Sequence, residues 1–250
     1  MDTPQWAPLG ALVLLVFVDL DPELAALGAL GGFFVLRTGS REGGAPPTLA
    51  LAYQNGSSVV YGNPITFRVE KVAHSLRAPE PRIAASIAQQ GLAARLWSVM
   101  LGCAAVYGRV PDLDAGLLRW DPDAGAPDDL WLSEVRPLPA DAATVADVVL
   151  HGHLEPLAAA LSAHYRIAPG LLWGNAASAL VGAARQLGAP ARALTAELLA
   201  HPLLAGTGTL TGTAFRRRSC CLYYRVPGGG VCGDCCFTRP PRSSPRAASG

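Results

Sequence analysis

The spacing of apolar and polar residues divides the chain into elements. Near the N-terminus, Ala7 to Val18 is an apolar run that stops at Asp19, Asp21 and Glu23. A bilayer-spanning helix needs about 20 apolar residues. The first arginine is Arg37, so the run also lacks the basic flank of a secretory signal. It is expected to pack on the body without stable insertion into lipid. Glu23 to Leu30 reads as a short helix closed by Gly31-Gly32, and Phe33 to Leu36 as a buried strand. Gly43 to Pro47 reads as a loop, and Thr48 to Tyr53 suits either helix or strand. Asn55-Gly56 is a turn signal that would join Tyr53 to Val59-Val60 as a hairpin.

Further along, Ile65, Val69, Val72 and Leu76 fall on one helix face, with Asn63-Pro64 as cap and first-turn proline. The longest helical pattern runs from Arg82 to Tyr107 between Pro81 and Gly108. Its small residues Ala84, Ala85, Ala88, Ala93 and Ala94 let neighbours approach, which makes it the expected central helix. Pro111 to Pro139 is rich in Asp and Trp and broken by prolines, so strands are expected there only at Gly116 to Trp120 and Leu130 to Val135. Helices follow at Ala142 to His164, Pro169 to Leu187 and Ala191 to Leu204, then a Thr/Gly loop from Gly206 to Gly212. The fold class is α+β: one predominantly helical body with a small antiparallel sheet and a C-terminal cysteine-rich segment. The expected division is a body over 1–212, a cysteine segment over 213–237 and a disordered tail over 238–250.

Composition narrows the function classes. The 250 residues are 50% hydrophobic and 16% charged, with a formal net charge of +1. This disfavours disorder, a fibrous repeat or a generically basic nucleic-acid binder. The mean hydropathy of +0.27 comes from Ala and Leu spread along the chain. With no leader or spanning segment, the expected location is the cytoplasm. Charge is uneven, however: from Phe215 onward there are seven arginines against one aspartate, a basic C-terminal pole.

Five of the six cysteines lie between Cys220 and Cys236, while Cys103 stands alone. A disulfide framework would spread its bridges through the fold, so this clustering points to a metal. The segment reads C-C-x10-C-x2-C. Two thiolates three residues apart share one tight turn, a common metal bite. Adjacent Cys220 and Cys221 would point to opposite sides of a regular strand, so binding one centre requires irregular backbone. Pro227 and Gly228-Gly229-Gly230 form the return loop, whose N–H groups are expected to point at sulfur. On spacing alone, four cysteines suit either an iron–sulfur cluster or structural zinc.

The C-C-x10-C-x2-C terminus, with arginine just before it and Tyr224-Arg225 inside the loop, resembles the ferric siderophore reductase family, often called FhuF-like. The resemblance extends to Gly91-Leu92-Ala93-Ala94-Arg95-Leu96-Trp97, Val110-Pro111-Asp112-Leu113 and Trp173-Gly174-Asn175, and so covers Phe33 to Phe237. It implies a cytoplasmic protein with one [2Fe–2S] cluster on Cys220, Cys221, Cys232 and Cys235. It also implies one-electron reduction of a bound Fe(III)-siderophore, a hydroxamate, to release Fe(II). Cys236 is a fifth thiol beyond the family pattern. The competing class is a non-catalytic siderophore-binding or structural protein whose four cysteines hold zinc or a redox-silent metal.

Other residues carry weaker signals. Arg95, in an otherwise apolar helix, is read either as half of a structural ion pair or as lining a substrate cleft. Arg216, Arg217, Arg218 and Arg225 are candidate contacts to substrate or to an acidic electron donor such as a ferredoxin or flavodoxin. Cys103 reads as a small buried hydrophobe and Trp173 as core. His151 and His153 diverge on a helix and suit surface or capping roles. The aspartates between Asp112 and Asp129 read as a solvated acidic loop, because their spacing is not that of a calcium loop.

Overall fold

The computed structural model describes residues 24–39 and 44–241. The apolar run Ala7 to Val18 and the end of the chain beyond residue 241 lie outside the described residues. In chain order the elements are β1 (Arg37–Thr38), α1 (Leu49–Tyr53), α2 (Pro64–Leu76), α3 (Pro81–Tyr107), β2 (Arg109–Pro111), β3 (Leu118–Trp120), β4 (Leu130–Leu132), β5 (Pro137–Pro139), α4 (Ala142–Ala146), a π-helical stretch (Asp147–Leu154), α5 (Glu155–Tyr165), α6 (Pro169–Leu187), α7 (Arg192–Leu199), β6 (Gly208–Thr211) and β7 (Ala214–Arg217). The fold is α+β and predominantly helical, as the periodicity predicts.

Helix α3 is the axis of the body. It starts with Pro81 in its first turn and closes on Gly108 at φ 64°, a left-handed position that glycine adopts without strain. Both α6 and α2 pack along it. Leu96, Trp97, Val99, Met100 and Leu101 are fully buried, and the Trp97 indole donates to the Ala176 carbonyl at 3.1 Å. Gly102 is required by packing, since a Cβ there would lie 2.9 Å from the Phe34 ring.

Arg95 is buried at the centre of this helix. Its Nε donates to Asp129 at 2.8 Å, Nη1 to the carbonyls of Gly32 and Phe33, and Nη2 to the Val35 carbonyl at 2.5 Å. Every donor group of the guanidinium is thus engaged within the protein, so of the two readings of Arg95 the structural ion pair holds, and the side chain does not line a cleft as a direct substrate contact. The same bonds account for a correction. The expected strand Phe33 to Leu36 is a 3-10 turn at Gly32–Phe34 followed by the two-residue β1. The carbonyls that would join a sheet ladder are taken by the guanidinium.

The sheets are small. One has the order β1-β4-β3, with β1 parallel and β3 antiparallel to β4; β2 pairs with β5 and β6 with β7, both antiparallel. The β2–β5 pair and the β6–β7 hairpin fall where loops were expected: the first is only three residues long with prolines in both strands, the second is hidden by its Thr/Gly composition. The expected boundary at residue 212 falls in the turn of that hairpin. Asn55-Gly56 does not start a hairpin. Asn55 at φ 56° and the Gly56 N–H bonded to the Leu51 carbonyl close α1 as a Schellman motif, and Val59 and Val60 are exposed.

The expected continuous helix from Ala142 to His164 is widened by the π-helical stretch, in which the Glu155 N–H bonds to the Leu150 carbonyl. Pro156, which follows at once, has no N–H to donate and its ring clashes with the carbonyl four residues back. Here His153 turns inward, between the Tyr53 hydroxyl at 2.9 Å and the Leu113 carbonyl at 2.5 Å, and is fully buried rather than at the surface. His151 points outward to Glu155. The acidic segment is also not simply solvated: Asp129 pairs with Arg95, Asp128 with Arg37, Asp123 with Lys71, and Asp121 accepts from the Tyr61 hydroxyl at 2.9 Å.

Candidate metal centre

Strand β7 delivers the chain to the cysteines. It alternates, with Phe215 and Arg217 buried and Arg216 and Arg218 exposed. Ser219 then donates to the Gly170 carbonyl at 2.7 Å. This approach requires Gly174, since a Cβ on that residue would lie 2.3 Å from the Ser219 oxygen. Cys221 is buried, and Leu222 follows at φ 68°, the irregular backbone that adjacent cysteines need in order to face one centre. After a 3-10 turn at Tyr223–Arg225 the chain returns through the glycines; a Cβ on Gly229 would meet the Tyr223 carbonyl at 2.4 Å. A bond from the Cys235 N–H to the Cys232 carbonyl at 3.1 Å closes the C-x2-C turn.

The N–H groups that reach sulfur come from residues just after cysteines rather than from the glycine triplet. Leu222 donates to Cys220 at 3.3 Å, Phe237 to Cys235 at 3.4 Å, and the Tyr223 amide faces Cys221. The Gly229 N–H bonds instead to the Val226 carbonyl. The sulfurs of Cys221 and Cys232 lie 3.6 Å apart. Hydrogen bonds from Cys220 and Cys232 hold the Cys221 thiol far below its ordinary pKa and push their own pKa values up. Burial raises Cys236. Among the described residues no three His, Cys, Asp or Glu side chains surround a single-ion site. A [2Fe–2S] cluster spreads four thiolates over two irons, so the close Cys221–Cys232 pair is compatible with it.

Arg217 tests the fit of such a group. Its Nη2 donates to Asn175 Oδ1 and to the Leu171 carbonyl at 3.4 Å, while Nε and Nη1 are buried with no partner. Its charge acts on Cys221, Cys232 and Cys236. A buried cation with two unfilled donors is costly on its own. An anionic, sulfur-rich group beside it supplies both the charge and the acceptors, so the residues present fit an iron–sulfur cluster.

The body holds this segment by side chains that the sequence did not single out as site residues. Asn175 on α6 donates to the Ser86 carbonyl at 2.9 Å and to its hydroxyl at 3.0 Å, and Ser86 on α3 donates to the Cys221 carbonyl at 2.8 Å. Asp234, inside the C-x2-C turn, accepts from Ser178 at 2.7 Å and from Arg185 at 3.1 Å. Asn175 lies in the Trp173-Gly174-Asn175 motif. Ser86 and Ser178 carry no signal along the chain and have meaning only through position.

The four arginines near the cysteines separate into distinct roles. Arg217 is turned inward, which corrects its placement in an external docking patch. Arg216 is exposed and donates to the Cys236 carbonyl at 3.2 Å, and Arg218 is exposed beside it. Arg225 pairs with Glu80 at 2.6 Å and stacks on Tyr224, tying the loop to the start of α3. Cys103 is fully buried on α3, and burial pushes its thiol up to about 12.

A helical body that presents clustered cysteines around a buried arginine defines a metal–thiolate protein. The family model for the ferric iron reductase FhuF-like transporter matches residues 90–221, just over half of the chain. The model for the FhuF 2Fe-2S C-terminal domain matches residues 217–237. The chain therefore belongs to the FhuF-like ferric iron reductase family, and its cofactor is a [2Fe–2S] cluster rather than zinc. Among curated proteins none matches the chain.

Proposed function

We propose that this protein is a cytoplasmic ferric-siderophore reductase, with a hydroxamate complex of Fe(III) as substrate and Cys220, Cys221, Cys232 and Cys235 as cluster ligands. The observation that carries the reading is the seating of the cysteine segment on a large helical body through Ser86, Asn175 and Ser178. A simple electron carrier needs no such body. When bound, the [2Fe–2S] cluster supplies one electron at a time. Oxygen donors hold hard Fe(III) far more tightly than Fe(II), so one added electron loosens the substrate complex. Protons from solvent then trap the departing ligand.

The chain's own residues have three tasks in this scheme. Arg217 holds positive charge against the sulfurs and favours the more reduced, more negative state. Asp234, gripped by Ser178 and Arg185, fixes the C-x2-C turn against α6. Exposed Arg216 and Arg218 offer an acidic electron donor, such as a ferredoxin or flavodoxin, a cationic approach beside Cys236.

Anaerobic purification tests the reading directly. The protein should be brown, with about two irons and two acid-labile sulfides per chain. Once reduced with dithionite and freed of excess reductant, it should deliver one electron to a ferric trihydroxamate, with Fe(II) captured by a coloured chelator. Stoichiometric zinc without sulfide, or a reduced protein that does not react with the ferric complex, would overturn it.

A further inference from the structure

A cavity of about 530 Å³ lies between α3, α6 and the turn that carries Cys232, Gly233 and Asp234. Its size falls within the range of small-molecule sites, about 300–1,000 Å³. Helix α3 contributes Gln90 and helix α6 contributes Gly182, Arg185 and Gln186, while Phe33 stands at the edge with 45% of its surface exposed. The backbone of Phe33 is held in place by Arg95, which takes the carbonyls of Gly32, Phe33 and Val35.

We propose that this cavity seats the ferric chelate, an Fe(III) complex of low net charge, with Cys232 in the wall that it faces. The inference rests on the reductase reading and adds where the substrate binds and what charge it carries. Electron transfer weakens steeply with distance, and this cavity has a cluster-ligand residue in its own lining. The charged side chains in the lining, Arg185 and Asp234, are paired with each other at 3.1 Å, and a cluster held by Cys232 would add only negative charge to that wall. The remaining polar groups are neutral amides and hydroxyls, alongside the Phe33 ring and a floor of alanines and Gly182. That combination suits a neutral or singly charged chelate with amide groups and methylene arms. A triply anionic chelate would lose its hydration and find one cation, already neutralised by Asp234.

Gly182 offers a direct test. Gly182 lines the cavity and a Cβ built on it meets nothing within 4 Å, so a side chain can start there without a backbone clash, and helix propensity is gained rather than lost. The probe is the gallium(III) complex of a linear trihydroxamate, which matches the ferric complex in charge and shape and cannot be reduced, titrated calorimetrically into the holoprotein. Gly182→Phe should weaken binding about tenfold or more, while the visible spectrum of the cluster and its reduction by dithionite stay as in the wild type. Phe33→Ser, at the edge of the cavity, should weaken the same binding. The triply anionic gallium tris-catecholate should bind the wild type about tenfold or more less tightly than the trihydroxamate. If the wild type binds the trihydroxamate and both variants bind it equally well, the cavity is not the seat and the reductase reading stands. Equal binding of the two chelates overturns the charge argument. If the wild type binds neither chelate, the reductase reading fails and takes this inference with it.

Discussion

Asn175 on α6 accepts a hydrogen bond from the buried guanidinium of Arg217 while donating to Ser86, which in turn holds the carbonyl of Cys221. One amide thus couples the two main helices to both the cation and the backbone of the cysteine segment. The two remaining donors of Arg217, Nε and Nη1, have no protein partner. The arrangement is completed by an anionic occupant, and it suggests that cluster loading and local order are linked.

Replacing Arg217 with Gln should lower the cluster potential by an amount on the order of tens of millivolts, since about 59 mV corresponds to a tenfold change in a one-electron equilibrium. Removing a nearby cation penalises the more negative, reduced state. Arg217→Lys keeps the charge but not the fork, so it should restore the potential only in part. Spectroscopic redox titration reads both variants, and an unshifted potential in Arg217→Gln would show that the guanidinium does not act on the cluster.

The ligand set is separable by substitution. Serine at Cys220, Cys221, Cys232 or Cys235 should cost iron and sulfide content, whereas Cys236→Ser should retain both. Iron and sulfide analysis with the visible spectrum checks each variant. A cluster lost in Cys236→Ser and kept in Cys235→Ser would reassign the fourth ligand.

Electron delivery from an acidic donor should slow as salt rises from 0.1 M to 1 M, because the Debye length falls from about 10 Å to about 3 Å. Reduction by a small uncharged reductant should change much less. The double variant Arg216→Gln, Arg218→Gln should reproduce the slowing at low salt with Arg217 intact. Stopped-flow reduction measures all three, and a wild-type rate for the double variant would return these arginines to a solvated surface.

His153 makes stability depend on pH. Burial lowers its pKa from 6.5 to about 4. Between those values the unfolded chain binds a proton that the folded protein excludes, so the contribution is complete above pH 6.5 and is lost as pH falls toward 4. The full window amounts to about 3 kcal/mol. His153→Gln should lower stability near neutrality and flatten this acid-side slope, read from thermal unfolding midpoints at about pH 7.5 and about pH 5. An unchanged slope would place the acid sensitivity on other groups.

Much of this protein is local and therefore written in the sequence. Pro81, Gly108 and the apolar stretch between them determine α3, Asn63-Pro64 starts α2, and Pro169 to Leu187 forms a helix with the expected ends. The cysteine spacing likewise marks a metal–thiolate centre, though by itself it leaves iron–sulfur and zinc open. Among the short strands, β3 and β4 fall inside the segments expected as strands, whereas β2 and β5 are three-residue strands with prolines, and β1 is cut to two residues because Arg95 takes the carbonyls before it. Asn55-Gly56 carried one turn signal with two outcomes, and packing of α1 selected the helix closure over the hairpin. Tertiary structure alone decided the direction of each arginine. Strand alternation turns Arg217 inward and leaves Arg216 and Arg218 outside, and only the approach of α6, with Gly174 at the contact and Asn175 beside it, makes burying that charge tolerable. The partners of a buried charge lie 42 residues away in Asn175 for Arg217 and 34 away in Asp129 for Arg95, and no pattern read along the chain specifies distances of that kind.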